Sequence, residues 1–273
     1  MNKKITASIV LYNSDATLLE GIIKSFLDTD LNLKIYLIDN SPNDALRVLS
    51  SDLRIDYIHN PSNPGFGASH NVAIKKAIEL GAQYHFIVNP DIYIKNDIIT
   101  PMIKYIDSDS KIGMMMPQVL NVDGSIQNLP KLLPTPFSIF WRKFKKPVKA
   151  YQKFINKYEL REVPKDFIYN TPILSGCFTL LKIEAIKKLG MYDDAFFMYF
   201  EDWDLSRRIH QHYKTIYFPK VSVVHEYESG ANKNKRLFKI FVTSAFKYFN
   251  KWGWFFDAER KKINNEALSQ FNQ

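Results

Sequence analysis

An α/β fold built on a mostly parallel sheet is what the sequence predicts, and three observations predict it. Short runs rich in Val, Ile, Leu and Tyr alternate with amphipathic stretches of helical period over the first 90 residues, the pattern of strands joined by crossover helices. Two of these runs lead to a carboxylate, Lys34–Asp39 (KIYLID) directly and Tyr84–Val88 (YHFIV) through Asn89-Pro90-Asp91; open parallel sheets bind ligands at the carboxyl ends of their strands. With 273 residues and 46% apolar content, the chain has the material for a substantial core.

The elements follow in order. Ile5–Tyr12 is a β-rich run, and Asn13-Ser14-Asp15 supplies cap candidates for a helix presenting Leu18, Leu19, Ile22, Ile23 and Phe26 on one face. Ile55–His59 is a short third strand, and Val72–Leu80 forms the body of a second helix. Between them lies NPSNPGFGASHN, residues 60–71. Its Gly spacing is not that of a dinucleotide-binding turn. Pro61 and Pro64 are expected to stiffen the loop, Gly65 and Gly67 to let backbone approach a ligand, and Asn71 to offer an amide. Further on, the pattern predicts a helix over 98–106, strands over 112–119 and 174–181, and helices over 183–189 and from Glu201. Strands over 215–218 and 221–225 and a helical segment from Lys235 complete the chain. The proline-punctuated stretch 130–172 reads as an insertion or lid. Residues 1–230 are expected to form the main domain, with 231–273 a basic, aromatic helical extension packed on it.

The net charge of +9 is unevenly placed. Residues 131–165 hold ten Lys/Arg against two Glu, and residues 231–262 hold nine against two acids, leaving 18 bases and 24 acids elsewhere. Aromatics interleave with these cations, as in FSIFWRKFKK at 137–146 and WGWFF at 252–256. That mixture suits an anionic bilayer surface, with Trp141, Arg142, Lys143, Lys145 and Lys146 as candidate contacts. Nucleic acid is the rival partner and is not expected. No apolar run approaches the roughly 20 residues that span a bilayer, and the start MNKKITASIVLYN is not expected to be a signal peptide. The lone Cys177 excludes an intrachain disulfide and a cysteine-based zinc site, which fits a reducing, cytoplasmic compartment.

Three places carry chemistry. Asp91 stands where a strand-end acid can hold Mg²⁺ or Mn²⁺ against a diphosphate. In Phe200-Glu201-Asp202-Trp203-Asp204, three acids begin a helix whose dipole favours them, directly after the apolar run Phe196–Phe200 that can desolvate one into a general base. His225 ends a strand and, in company with Asp91, is a candidate metal ligand.

Taken together, IVLYN (9–13), LIDNSPND (37–44), NPGFGASHN (63–71), FIVNPDI (86–92), SGCFTLL (175–181), FFMYFEDWDLSRR (196–208) and His225 resemble the family 2 glycosyltransferases of the GT-A fold. The likeness is greatest to a bacterial branch of rhamnosyltransferases that assemble cell-surface polysaccharides. The resemblance implies a nucleoside diphosphate sugar donor, bound by Tyr12, Asn13, Asp39, Gly65, Phe66, Gly67, Asn71, Asn89 and Asp91. It implies Asp202 as the catalytic base with Glu201 beside it, Asp91 and His225 as ligands of Mg²⁺ or Mn²⁺, and Gly176 and Trp203 on the acceptor side. Asn89 stands where the family's metal motif has its first acid, and Trp203 where a smaller apolar residue is usual. The acceptor implied is a lipid-linked saccharide at the inner membrane face. Of the rivals, a nucleotidyltransferase would carry a Gly-rich, Arg-containing loop after the first strand, where this chain has NSDAT at 13–17. A non-catalytic membrane- or nucleic-acid-binding module leaves the strand-end acids unexplained.

Overall fold

The computed structural model describes residues 3–226 and 234–271; the expected domain boundary at 230 lies outside them. The first half follows the alternation read from the sequence. Strands β1 (Lys4–Leu11), β2 (Asn32–Asp39), β3 (Ile55–His59) and β4 (Tyr84–Val88) are separated by helix α1 (Ala16–Leu27), a 3₁₀ turn at Ala45–Ser50 and helix α2 (Phe66–Glu79). All pairings among these strands are parallel. The alternation of β2 serves two layers: Ile35 and Leu37 share the main core with Leu19, Ile22 and Phe26 of α1, while Tyr36 and Ile38 pack with Ala73 of α2. Asp15 caps α1 by accepting from the Thr17 N–H.

Beyond these lie β5 (Ile92–Tyr93), α3 (Ile99–Ser108), β6 (Ile112–Leu120), α4 (Pro136–Phe144), α5 (Val148–Tyr158), β7 (Tyr169–Asn170), β8 (Phe178–Lys182), α6 (Ile183–Leu189), α7 (Glu201–His210), β9 (Lys214–His225), α8 (Lys235–Trp252) and α9 (Ala258–Ser269). The nine strands form one sheet of order β3-β2-β1-β4-β8-β6-β9-β5, with β7 pairing β9 off that path. Here the sheet becomes mixed, because β8 runs antiparallel to both β4 and β6, and β9 pairs parallel with β6 but antiparallel with β5 and β7. The parallel character therefore belongs to the first four strands and the β6–β9 pair.

Two expectations need correction. Helix α2 begins at Phe66, not Val72, because Gly65 at φ 105° turns the chain straight into it. Within the 130–172 stretch, read above as an insertion or lid, Thr135 and Ser138 form a capping box with Pro136 at the helix start, and α4 and α5 result. Trp141 does not face out to meet a membrane. Its ring stacks on Phe154 of α5 at 4.8 Å and its indole N–H donates to the Lys146 carbonyl at 2.8 Å. Arg142 likewise turns to Glu159, 3.4 Å away. Lys143, Lys145 and Lys146 remain exposed.

The C-terminal helices pack on the rest through defined contacts. Tyr248 and Phe249 of α8 form an aromatic cluster with Phe196 and Phe200. Ile263 of α9 packs on Leu133 and Ile173, and the Asn264 carboxamide bonds the Leu133 backbone N–H and C=O at 2.7 and 3.0 Å.

Candidate active site

The carboxyl ends of β1, β2 and β4 form one rim. Leu11 closes β1, and beyond it Tyr12 is 56% exposed while Asn13 takes a positive φ of 50° and donates its N–H to Ser41 Oγ at 2.8 Å. Asp39 ends β2 with no exposed surface. Its Oδ1 accepts from the Ser41 N–H at 2.9 Å and its Oδ2 from the Tyr57 hydroxyl at 2.6 Å. Burial first, and then Asp39, raise the Tyr57 phenol far above its ordinary range, so it stays a donor. Asp39 thus shapes the rim through Ser41 and Tyr57.

The glycine-rich stretch has a different partner from the expected ligand. A Cβ on Gly65 would lie 2.2 Å from the Phe197 carbonyl oxygen, and one on Gly67 would lie 2.8 Å from Tyr192 Cβ. The backbone that approaches them is the chain's own 190–200 loop, fixed further by the Phe66 N–H donating to the Phe197 carbonyl at 2.8 Å. Asn71 is committed to the same loop. Its Nδ2 donates to the Tyr192 carbonyl and to Asp194 Oδ1, at 2.8 and 2.7 Å, and its Oδ1 accepts from the Tyr192 N–H at 3.0 Å. Gly65, Gly67 and Asn71 therefore clasp two loops together. Phe66 packs edge-on against the His70 ring at 4.5 Å.

At the end of β4, Asn89, Asp91 and His225 converge. His225 Nε2 lies 3.3 Å from Asp91 Oδ1 and 3.5 Å from Asn89 Nδ2. Asn89 Oδ1 is buried and accepts no hydrogen bond, a costly arrangement unless something else satisfies it, and the buried Asp91 Oδ1 has only the His225 ring facing it. Burial pulls the imidazole down, but Asp91 and the Cys177 sulfur outweigh it and raise His225 to about 10. Gln127, which no sequence pattern singled out, orients the ring: its Oε1 lies 3.1 Å from Nδ1 and its Nε2 donates to the His225 carbonyl at 2.9 Å. With Nδ1–H given to Gln127, Nε2 is the nitrogen turned toward Asp91. A carboxylate oxygen, a carboxamide oxygen and, once the Nε2 proton is released, an imidazole nitrogen fit Mn²⁺, or Mg²⁺ through the oxygens, with phosphate oxygens completing the shell. Tyr227 to Ser229, which follow His225 after Glu226, lie outside the described residues.

The third group stands at the start of α7. Tyr199 and Phe200 both have φ of 69°, a conformation that costs non-glycine residues of order 1–3 kcal/mol each. Packing holds it: the Phe200 ring lies 4.6 Å from Trp203, 5.3 Å from Phe241 and 5.5 Å from Tyr248. This turn buries Glu201 to 5% exposure with its Oε2 unpartnered. Burial first, and then the adjoining Asp202, push the Glu201 carboxyl well above the ordinary range. Asp202 is partly buried and is raised by that burial to about 6, restrained by backbone N–H donors and by Lys131. Gly176 N–H donates to its Oδ2 at 3.1 Å and Trp203 N–H meets its Oδ1 at 2.9 Å. A Cβ on Gly176 would lie 3.1 Å from the Phe66 ring and 3.4 Å from Asp202 Cβ. Gly176 is thus a rest for the Asp202 side chain, and Trp203 packs on Phe200 and the Leu133–Ile173–Ile263 cluster.

Two further residues belong here that the sequence did not reveal. Lys131, counted there among solvated cations, is 6% exposed, with its ammonium donating to the Leu129 and Asn128 carbonyls at 2.8 and 3.3 Å. Burial lowers it to about 8. Cys177 joins the two halves of the site: its carbonyl accepts from the Asn89 N–H at 2.8 Å, one residue from the Gly176 N–H that holds Asp202.

Comparison with known proteins gives the family and the fold. A sequence model of the family described as Glycosyl transferase family 2 matches residues 6–190. Rhamnosyltransferase WbbL of Escherichia coli (strain K12) is 26% identical over 249 residues, 84% of this chain and 88% of its own. The dTDP-rhamnosyl transferase RfbF of Shigella flexneri is 27% identical over 111 residues, 40% of this chain and 37% of its own. Among solved structures, GalNAc-T7 with UDP, GalNAc and Mn²⁺ superposes with a TM-score of 0.64 at 16% identity, covering 92% of this chain and half of that one. The fold is of the GT-A type, and the chain belongs to glycosyl transferase family 2.

Proposed function

We propose that this glycosyltransferase moves a sugar from a nucleoside diphosphate sugar, with dTDP-L-rhamnose as the best donor, to a hydroxyl of a lipid-linked saccharide, inverting the anomeric centre. UDP-galactose or UDP-glucose is the alternative donor. The observation that carries this reading is the pairing of a raised carboxyl at Asp202 with the oxygen- and nitrogen-lined pocket of Asn89, Asp91 and His225, joined through Gly176-Cys177. The relatives named for rhamnosyl transfer support the donor.

The donor lies across the rim with its diphosphate toward Asp91. Asp202 accepts the proton of the acceptor hydroxyl as that oxygen forms a bond to the anomeric carbon and the bond from that carbon to the diphosphate oxygen breaks. Glu201 is raised further above its ordinary range than Asp202, and one base serves one displacement. Asp91 and His225 would hold Mg²⁺ or Mn²⁺, which would neutralise charge on the departing diphosphate. The product role is in cell-surface polysaccharide assembly, O-antigen or capsule. No helix among the described residues is long and apolar enough to cross a membrane; the protein works in the cytoplasm, attached peripherally to the inner face of the cell membrane by its basic aromatic segments.

The test is a transfer screen of the full chain against dTDP-L-rhamnose, UDP-galactose and UDP-glucose, with Mg²⁺, Mn²⁺ or chelator, and assignment of the product anomer by NMR. Inverted product from one of these donors supports the reading. Retained configuration, or no turnover of any donor, overturns it.

A further inference from the structure

We infer that the paired outer faces of α4 and α8 are the surface that docks on an anionic lipid bilayer, with Phe137, Phe140 and Phe238 entering it. The inference rests on the peripheral attachment proposed above and assigns its apolar contact to rings other than Trp141, against which Phe137 packs at 5.0 Å.

The two helices meet although 90 residues separate them in sequence. Ile139 of α4 packs inward with Phe241 of α8 on the Tyr248–Phe249 cluster, and Lys143 at the end of α4 sits over the Phe238 ring near the start of α8 at 4.7 Å. Helical spacing then sends other residues outward. Phe137 and Phe140, one turn apart, are each 60% exposed, and Phe238 is 42% exposed. Phenylalanine has no polar handle for water or phosphate, so three such rings on one face point to an apolar phase.

Charge identifies which apolar phase. Residues 136–158 contain seven Lys/Arg and residues 234–256 contain five, and neither stretch contains an Asp or Glu. The rest of the chain outside the basic segments is net acidic. A face that concentrates cations around phenylalanine rings is complementary to anionic headgroups over acyl chains. Ten of those twelve cations are lysines, compact point charges without the bidentate fork that recognises individual phosphates of nucleic acid. Behind this face the same cluster holds Phe200, the residue before Glu201, which puts the catalytic helix one layer from the lipid that carries the acceptor.

The full chain is floated with vesicles of phosphatidylcholine alone and of phosphatidylcholine mixed with phosphatidylglycerol. The wild type is expected on the anionic vesicles and not on the neutral ones. The triple variant Phe137→Ser, Phe140→Ser, Phe238→Ser and the double variant Lys145→Glu, Lys146→Glu should each lose partitioning by about tenfold or more. Circular dichroism and donor hydrolysis should be unchanged in both. Binding by the wild type that both variants retain overturns this surface while leaving peripheral attachment standing. Absence of the wild type from both vesicle types overturns the attachment as well. Salt-sensitive binding of duplex DNA without vesicle binding overturns the lipid in favour of nucleic acid. A concentration-dependent dimer abolished by the phenylalanine changes, again without vesicle binding, makes the face a contact between copies of the chain.

Discussion

Replacing Asp202 with Asn should destroy transfer and stabilise the fold together. Burial raises the carboxyl from its ordinary 3.8 to about 6, and at about 1.4 kcal/mol per pH unit the ionised form costs the folded state up to about 3 kcal/mol. Two effects reduce the gain from removing that charge. Asp202 is only partly buried, and an Asn amide nitrogen would face either the Gly176 or the Trp203 N–H, losing about 1 kcal/mol of hydrogen bonding. A net gain of about 1–2 kcal/mol remains, a rise in Tm of roughly 2–6 °C for a chain of this size. The pH dependence fixes the cause. Because the folded-state value lies above the unfolded one, the Asp202 contribution favours the fold below about pH 4 and is lost as pH rises through about 6. The variant's advantage should be present at pH 8 and absent near pH 4, whereas wild-type transfer should climb with a midpoint near pH 6. Thermal melts at both pH values and a transfer assay read this out, with activity falling by about 10²–10⁴. Full activity in the variant, or lower stability than wild type at pH 8, would refute the assignment of a strained base.

Other outcomes follow from the same coordinates. Lys131→Met should move the acid limb of the pH–rate profile upward, because its ammonium favours the Asp202 carboxylate, while Lys131→Arg should restore it; an unmoved limb removes Lys131 from the site. Gly65→Ala puts a Cβ on the Phe197 carbonyl at φ 105° and should cost about 3 kcal/mol or more by chemical denaturation; near-wild-type stability would contradict the clasp. Gln127→Ala frees the His225 ring and should raise the Mn²⁺ concentration for half-maximal turnover by about 10–100-fold with little change in Tm; an unchanged metal response would place the cation elsewhere. Asp257→Ala strips the buried Arg207 of its bidentate partner at 2.8 and 2.9 Å and should cost about 3–5 kcal/mol; a loss under 1 kcal/mol would mean that Glu259 and Trp252 hold the guanidinium unaided.

The positions of the chemistry were legible in the sequence because they follow from local pattern. Asp39 and Asp91 sit at strand ends, and the acids from Glu201 sit at a helix start after an apolar run, so period and punctuation were enough. What stayed hidden is what those residues touch. The glycines at 65 and 67 look alike whether a ligand or the Phe197 backbone comes near them, and only the fold brings residue 197 there. Trp141 and Lys131 were read as surface because their neighbours in sequence are cationic; the ring of Phe154 and the carbonyl of Leu129 that take them inward carry no signal in the pattern. Prolines 134, 136 and 147 suggested a broken segment, yet Pro136 opens α4 at the position where a missing N–H costs nothing. The lead-in to β8 was read as strand from Leu174, whereas the chain turns at Gly176-Cys177 before the ladder begins at Phe178.

That turn acts as a covalent ruler. The Cys177 carbonyl is tied to the pocket at the end of β4 and the Gly176 N–H to Asp202, so the spacing of the two is set by two consecutive residues, whose Cα atoms lie about 3.8 Å apart. Side chains on the donor rim and on the acceptor side can change without altering it. A different sugar or a different acceptor can thus be accommodated by redecorating either flank, while that spacing stays written in the backbone.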